Sequence, residues 1–181
     1  MSRYLLIGTL ATALTLFVWQ SISNAAIPWH SASMRPMTPA AVQAVHTVLP
    51  ENGLYGANEG ILAVVHTTPD MRDLTREMGV PLGRQLVIDL LAALVLGAVV
   101  LRLPRRGALA TGVSLALASA AFTTMLSISD WNWYGYPFLF ELVNVIDFAI
   151  QGLLAGLILG WALGRFAPAA AVAPDRAMTA A

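Results

Sequence analysis

The chain has 181 residues, of which 57% are hydrophobic and only 11% charged, whereas a soluble domain carries about a quarter charged residues. Ten basic residues, all of them Arg, balance ten acidic ones, so the formal net charge is zero and no bulk attraction to nucleic acid is expected. The chain has no Cys, which excludes disulfides, iron–sulfur clusters, CxxC redox chemistry and covalent c-type haem, and no cofactor is expected.

The apolar residues gather into stretches of about 20, the length a helix needs to cross a bilayer. Four such spans run from about Tyr4 to Ile27, Gln85 to Leu103, Ala108 to Ile128 and Phe138 to Trp161. The chain is therefore read as an all-α membrane protein, a bundle of four transmembrane helices in one domain over 1–166. The first span holds no charge. Ser23-Asn24-Ala25 resembles a signal-peptide cleavage site, but the apolar run through Trp19 to Ile27 is long for such a core. An uncleaved span is the preferred reading.

Segment 28–84 is more than a linker. His30, Met34 and Met37 form H-x3-M-x2-M, and His46 and His66 follow. Imidazole and thioether ligands suit Cu(I), which makes these five weak metal candidates; packing is the plainer explanation. Thr38-Pro39 opens a helix over Ala40 to Leu49. Glu51 to Gly56, around Asn52-Gly53, has turn chemistry. Ile61 to Thr67 reads as a strand. Thr68-Pro69 opens another helix, with Asp70 and Asp73 near its positive end and Arg76 near its negative end, stopped by Gly79 and Pro81. Met71, Leu74 and Met78 would share one side of it, facing the membrane surface or the bundle. The expectation is a small outward-facing α/β cap between helices 1 and 2, packed on the bundle.

Arg3, Arg102, Arg105, Arg106 and Arg165 all flank spans on one side of a four-span bundle. Cytoplasmic loops carry such an excess, so both termini are expected in the cytoplasm of a bacterium, with the protein in its inner membrane. Residues 28–84 would then face outward. The loop Asp130 to Pro137 is dense in Trp and Tyr, and with Trp29 it reads as an interfacial aromatic belt. The Ala- and Pro-rich tail 167–181 is expected to be disordered.

Gly152, Gly156, Gly160 and Gly164 recur every four residues in the fourth span. Such a stripe lets another backbone approach closely in a membrane. Ala108, Gly112, Ala116 and Ala120 offer a matching stripe in the third. The simplest reading is a seam between these two spans; the competing one is a homodimer.

Asp89, Glu141 and Asp147 lie inside spans, where an acid costs roughly 2.5–3.5 kcal/mol near a helix centre on insertion scales. Glu141, Asn144, Asp147 and Gln151 fall on one face of the fourth span. Gln20, Ser21, Ser23, Asn24, Thr123, Thr124 and Ser127 reach the same outer half of the bundle. The inner half is apolar, relieved by Thr9, Thr12 and Thr15. The predicted intramembrane cluster is Asp89, Thr123, Glu141, Asn144, Asp147 and Gln151, lining a vestibule open outward and closed inward. No basic side chain is expected beside its deeper carboxylates; Arg84 could reach only the upper ones. The alternative is a hydrogen-bonded network that sets helix register.

Pro28-Trp29-His30, Gly53-Leu54-Tyr55, Arg84 to Leu91 and Ser129 to Gly135 resemble segments of small, uncharacterised bacterial four-span membrane proteins. The resemblance implies an inner-membrane location and brings no activity or catalytic residues. The functional expectation is a non-enzymatic, partner-binding or accessory membrane protein. Its partners would be the lipid bilayer, another membrane protein or a second copy. The alternative is a small-solute, proton or metal-handling protein using the outer polar cluster. A membrane enzyme with Glu141 and Asp147 as acid and base ranks third, because the sequence has no nucleotide loop, nucleophile motif or HExxH.

Overall fold

The computed structural model describes residues 2–51, 53–57, 60–64, 78–104 and 106–166. Eight elements follow in chain order: α1 (Ser2–Ala25), α2 (Trp29–Ala32), α3 (Pro39–Val48), β1 (Gly53–Ala57), β2 (Gly60–Val64), α4 (Gly79–Val100), α5 (Ala108–Tyr134) and α6 (Phe138–Phe166). Four of them, α1, α4, α5 and α6, are long and apolar enough to cross a membrane. Large apolar side chains such as Leu6, Leu14, Val95, Leu117 and Met125 stand exposed along their outer faces. That pattern suits a helix bundle solvated by lipid.

Two helix boundaries differ from the sequence expectation. Gly79 and Pro81 lie in the first turn of α4, which begins ahead of the expected Gln85. Pro81 is tolerated because the first turn's N–H groups have no intrahelical acceptor anyway. At the same end of the bundle, α5 continues through Trp131 and Trp133 to Tyr134, so the aromatic segment is helical rather than a loop. It stops at Gly135, whose φ of 68° is left-handed and suits a residue without Cβ. Only Gly135, Tyr136 and Pro137 join α5 to α6.

The α5–α6 pair is the most extensive interface in the fold. A Cβ on Gly156 would stand 2.6 Å from Gly112 Cα, and one on Gly152 2.6 Å from the Leu115 carbonyl oxygen. One on Gly160 would stand 2.8 Å from Ala108 Cα. These are backbone-to-backbone approaches that only glycine permits. Gly112 reciprocates, 3.1 Å from the Leu153 carbonyl oxygen on the same measure. Gly164 meets nothing within 4 Å. The reason is that α5 begins at Ala108, opposite Gly160, so Gly164 lies one turn beyond its start. The α5 face follows Ala108, Thr111, Gly112, Leu115 and Ser119 rather than Ala116 and Ala120. Steps of four drift 40° per turn, whereas alternating steps of four and three stay on one face.

On its other side α6 packs against α1 and α4, while α4 and α5, though sequence neighbours, barely touch. The apolar core sits where the ends of α1, α4 and α6 meet, around Tyr4, Val100, Leu159, Ala162 and Leu163. There the buried Tyr4 hydroxyl donates to the Gly97 carbonyl at 3.0 Å, tying α1 to α4. Arg3, Arg102, Arg106 and Arg165 cluster at this end, called here the arginine end; the opposite one is the α2 end.

Among the described residues the segment between α1 and α4 does not form the packed α/β cap expected from sequence. Thr38 and Pro39 do open α3, with Thr38 Oγ1 accepting from the Ala41 N–H at 3.2 Å. But α3 buries no residue. Its short apolar face is too small to hold it on the bundle. Gly53 to Gly56, expected to turn, is strand: β1 pairs antiparallel with β2 from Gly53–Val64 to Ala57–Gly60. The hairpin makes no substantial contact with the spans among the described residues. The helix expected after Thr68-Pro69, His66, Arg105 and the tail 167–181 lie outside the described residues.

Candidate polar site between the helices

Towards the α2 end, α4 and α6 stand apart and the space between them, backed by α1, is a cavity of about 540 Å³. Its polar lining is Gln20 and Asn24 of α1, His30 of α2, Gln85 and Asp89 of α4, and Asn144, Asp147 and Gln151 of α6. Leu16, Ile88, Ala92, Phe140 and Phe148 add apolar walls, and Met34 adds a thioether.

The helices converge on two carboxylates. Asp147 is 5% exposed, and its Oδ1 accepts from the Trp19 indole N–H at 2.6 Å. Its Oδ2 lies 3.5 Å from His30 Nε2. Asp89 is 2% exposed, and its Oδ1 accepts from the side-chain amides of both Gln20 and Gln85 at 3.0 Å. Its Oδ2 is buried with no hydrogen-bond partner among the described residues. The Gln20 amide also reaches Gln151 Oε1 at 3.4 Å, so one side chain of α1 links α4 to α6.

His30 overturns the expectation that no basic side chain lies beside the deeper carboxylates. The chain reverses just after α1. Ala26 and Ile27 both donate to the Ile22 carbonyl, at 2.9 and 3.1 Å, and Pro28 starts the single turn of α2. Trp29 then folds back rather than joining an aromatic belt. Its indole donates to the Ser23 carbonyl at 3.0 Å, filling one of the acceptors a helix end leaves open. The ring packs edge-on against Trp19 with centroids 6.3 Å apart. This places His30 over the cavity, within 3.3 Å of Ser23 Oγ as well as beside Asp147. Arg84, by contrast, is exposed, and the residue that reaches Asp89 is its neighbour Gln85.

The predicted cluster is thus divided. Asp89, Asn144, Asp147 and Gln151 line the cavity; Glu141 and Thr123 do not. Thr123 is buried on α5, on the far side of α6 from α1 and α4. Glu141 is 3% exposed and receives only the Asn144 amide at 3.4 Å, leaving Oε1 without a partner among the described residues. Sequence reasoning missed three participants. Gln85 carried a usable signal, its i to i+4 spacing to Asp89 on a helix. Trp19 and His30 carried none, because the packing of α1 on α6 brings the first to Asp147 and a reversal of the chain brings the second.

Among the described residues no three His, Cys, Asp or Glu side chains converge as metal ligands. Met34 and Met37 are exposed, and His30 is engaged with Asp147 and Ser23 rather than with either. Comparison of the chain with family models, with curated proteins and with solved structures returns no match.

Proposed function

We propose that the protein binds and handles a small solute in this cavity, and that the solute is cationic or rich in hydrogen-bond donors. The observation that carries the reading is Asp89, a buried acid whose side chain lines a cavity of about 540 Å³ and whose Oδ2 has no hydrogen-bond partner among the described residues. An unsatisfied buried acceptor costs about 1–3 kcal/mol, and more when charged, so a donor supplied by a solute would be favoured. The rest of the wall includes the Asp147 carboxylate, several amides, an imidazole and the rings of Phe140 and Phe148, which suit an ammonium or guanidinium group on an organic frame. The floor supports binding rather than conduction: Tyr4, Gly97 and Leu159 pack together below it. In this reading the arginine end faces the cytoplasm and the α2 end the outside of an inner membrane, in keeping with the positive-inside rule.

Thermal unfolding of the detergent-purified chain tests it. Putrescine and agmatine serve as cationic probes, glycerol and acetate as controls. At least one cation should raise the midpoint, increasing with the logarithm of its concentration as expected for a ligand that binds only the folded state. Asp89→Asn should abolish that rise. No response to either cation, or an equal response in Asp89→Asn, would overturn the assignment.

A further inference from the structure

A second opening lies at the arginine end, and it differs in chemistry from the first. It is a cleft of about 200 Å³ between the end of α4 and the first turns of α5, with α6 behind. Val100, Leu103, Leu115 and Leu163 make its walls apolar, Ser114 adds a hydroxyl, and Arg106 stands at its mouth. Val100, Leu115 and Leu163 belong to the buried core, so the cleft reaches the centre of the bundle. It stays open because α4 and α5, joined only by residues 101–107, barely touch.

Among the described residues the charged side chains at this end are all Arg. Arg102, Arg105 and Arg106 lie in the α4–α5 link, and Arg3 and Arg165 at the neighbouring ends of α1 and α6. From Leu90 to Ser129 the sequence has no acidic residue. An apolar slot between helices under a rim of unbalanced guanidinium groups matches an acyl chain beneath an anionic headgroup. We infer that the cleft between α4 and α5 holds one anionic phospholipid, its acyl chain against Val100, Leu115 and Leu163 and its phosphate on Arg106. Detergent or a neutral lipid could fill the slot but would leave the arginines unneutralised. The site is independent of the cavity at the α2 end.

Native mass spectrometry of the full chain, exchanged into micelles with equimolar phosphatidylglycerol and phosphatidylcholine, tests the inference. The wild type should retain one phosphatidylglycerol in preference to phosphatidylcholine. Arg106→Gln should lower that preference about five-fold, equivalent to about 1 kcal/mol for one basic side chain. Ser114→Phe, which fills the slot, should lose both lipids while keeping its helix content. Equal retention of the two lipids by the wild type would overturn the inference. So would an unchanged preference in Arg106→Gln, or a lipid-free dimer, which would assign the cleft to a second copy. Should Ser114→Phe fail to fold, the Arg106→Gln comparison decides alone.

Discussion

Trp19 Nε1 donates to Asp147 Oδ1 at 2.6 Å, joining α1 to α6 across 128 positions of sequence. This bond, with His30 Nε2 3.5 Å from the second oxygen, gives a carboxylate inside an apolar helix polar neighbours from two different elements. Asp147 is therefore held in place, while Asp89 Oδ2 on the facing helix has no hydrogen-bond partner among the described residues.

Trp19→Phe removes the donor and keeps a ring against Trp29. Leaving Asp147 Oδ1 buried and unpaired should cost about 1–3 kcal/mol, read as a lower unfolding midpoint in detergent. Asp147→Asn retains an oxygen to accept from Trp19 and should fold. Combining Trp19→Phe with Asp147→Leu should cost less than the sum of the two single changes, since both remove the same bond. Strict additivity would mean that the contact contributes nothing.

The α5–α6 seam makes a paired prediction. Gly156→Leu places a side chain where a Cβ alone would lie 2.6 Å from Gly112 Cα, so the helices must separate. The loss should reach or exceed the about 1–3 kcal/mol of ordinary overpacking, because backbone cannot swing aside as a side chain can. Gly164→Leu, with nothing within 4 Å of its Cβ, should unfold like the wild type. The two midpoints, measured in one detergent, should differ by several degrees; equal midpoints would place the seam elsewhere.

The orientation proposed from the arginines is open to a direct check, since the chain has no Cys of its own. Single replacements Gln43→Cys in α3 and Gly107→Cys in the α4–α5 link lie on opposite sides of the bundle. A membrane-impermeant maleimide should label Gln43→Cys in intact cells and Gly107→Cys only after permeabilisation. The reverse pattern would turn the protein over in the membrane and put the polar cavity on the cytoplasmic side.

What the sequence by itself determined is the set of spans and the places where they can approach closely. Both are properties of one stretch of chain: an apolar run long enough to cross a bilayer, and glycines spaced along α6. The acids within the spans were also legible, because a charge in an apolar run stands out without knowledge of its neighbours. Helix ends were less so: Pro81 reads as a stop in one dimension and is harmless in the first turn of α4.

Only the tertiary structure decided which of these groups share a space. The run Glu141, Asn144, Asp147 and Gln151 is one stripe along α6, yet α1 and α4 cover part of it while Glu141 stays outside the cavity they form. Gly164 belongs to the glycine repeat but not to the seam, because α5 begins only opposite Gly160. His30 reads as part of a loop with two methionines and becomes a partner of Asp147 because the chain doubles back at Pro28 and Trp29 seats on Trp19. Such contacts depend on reversals and on distances between residues far apart in sequence. Composition and periodicity are local quantities, so they mark the carboxylates but do not name the side chains that answer them.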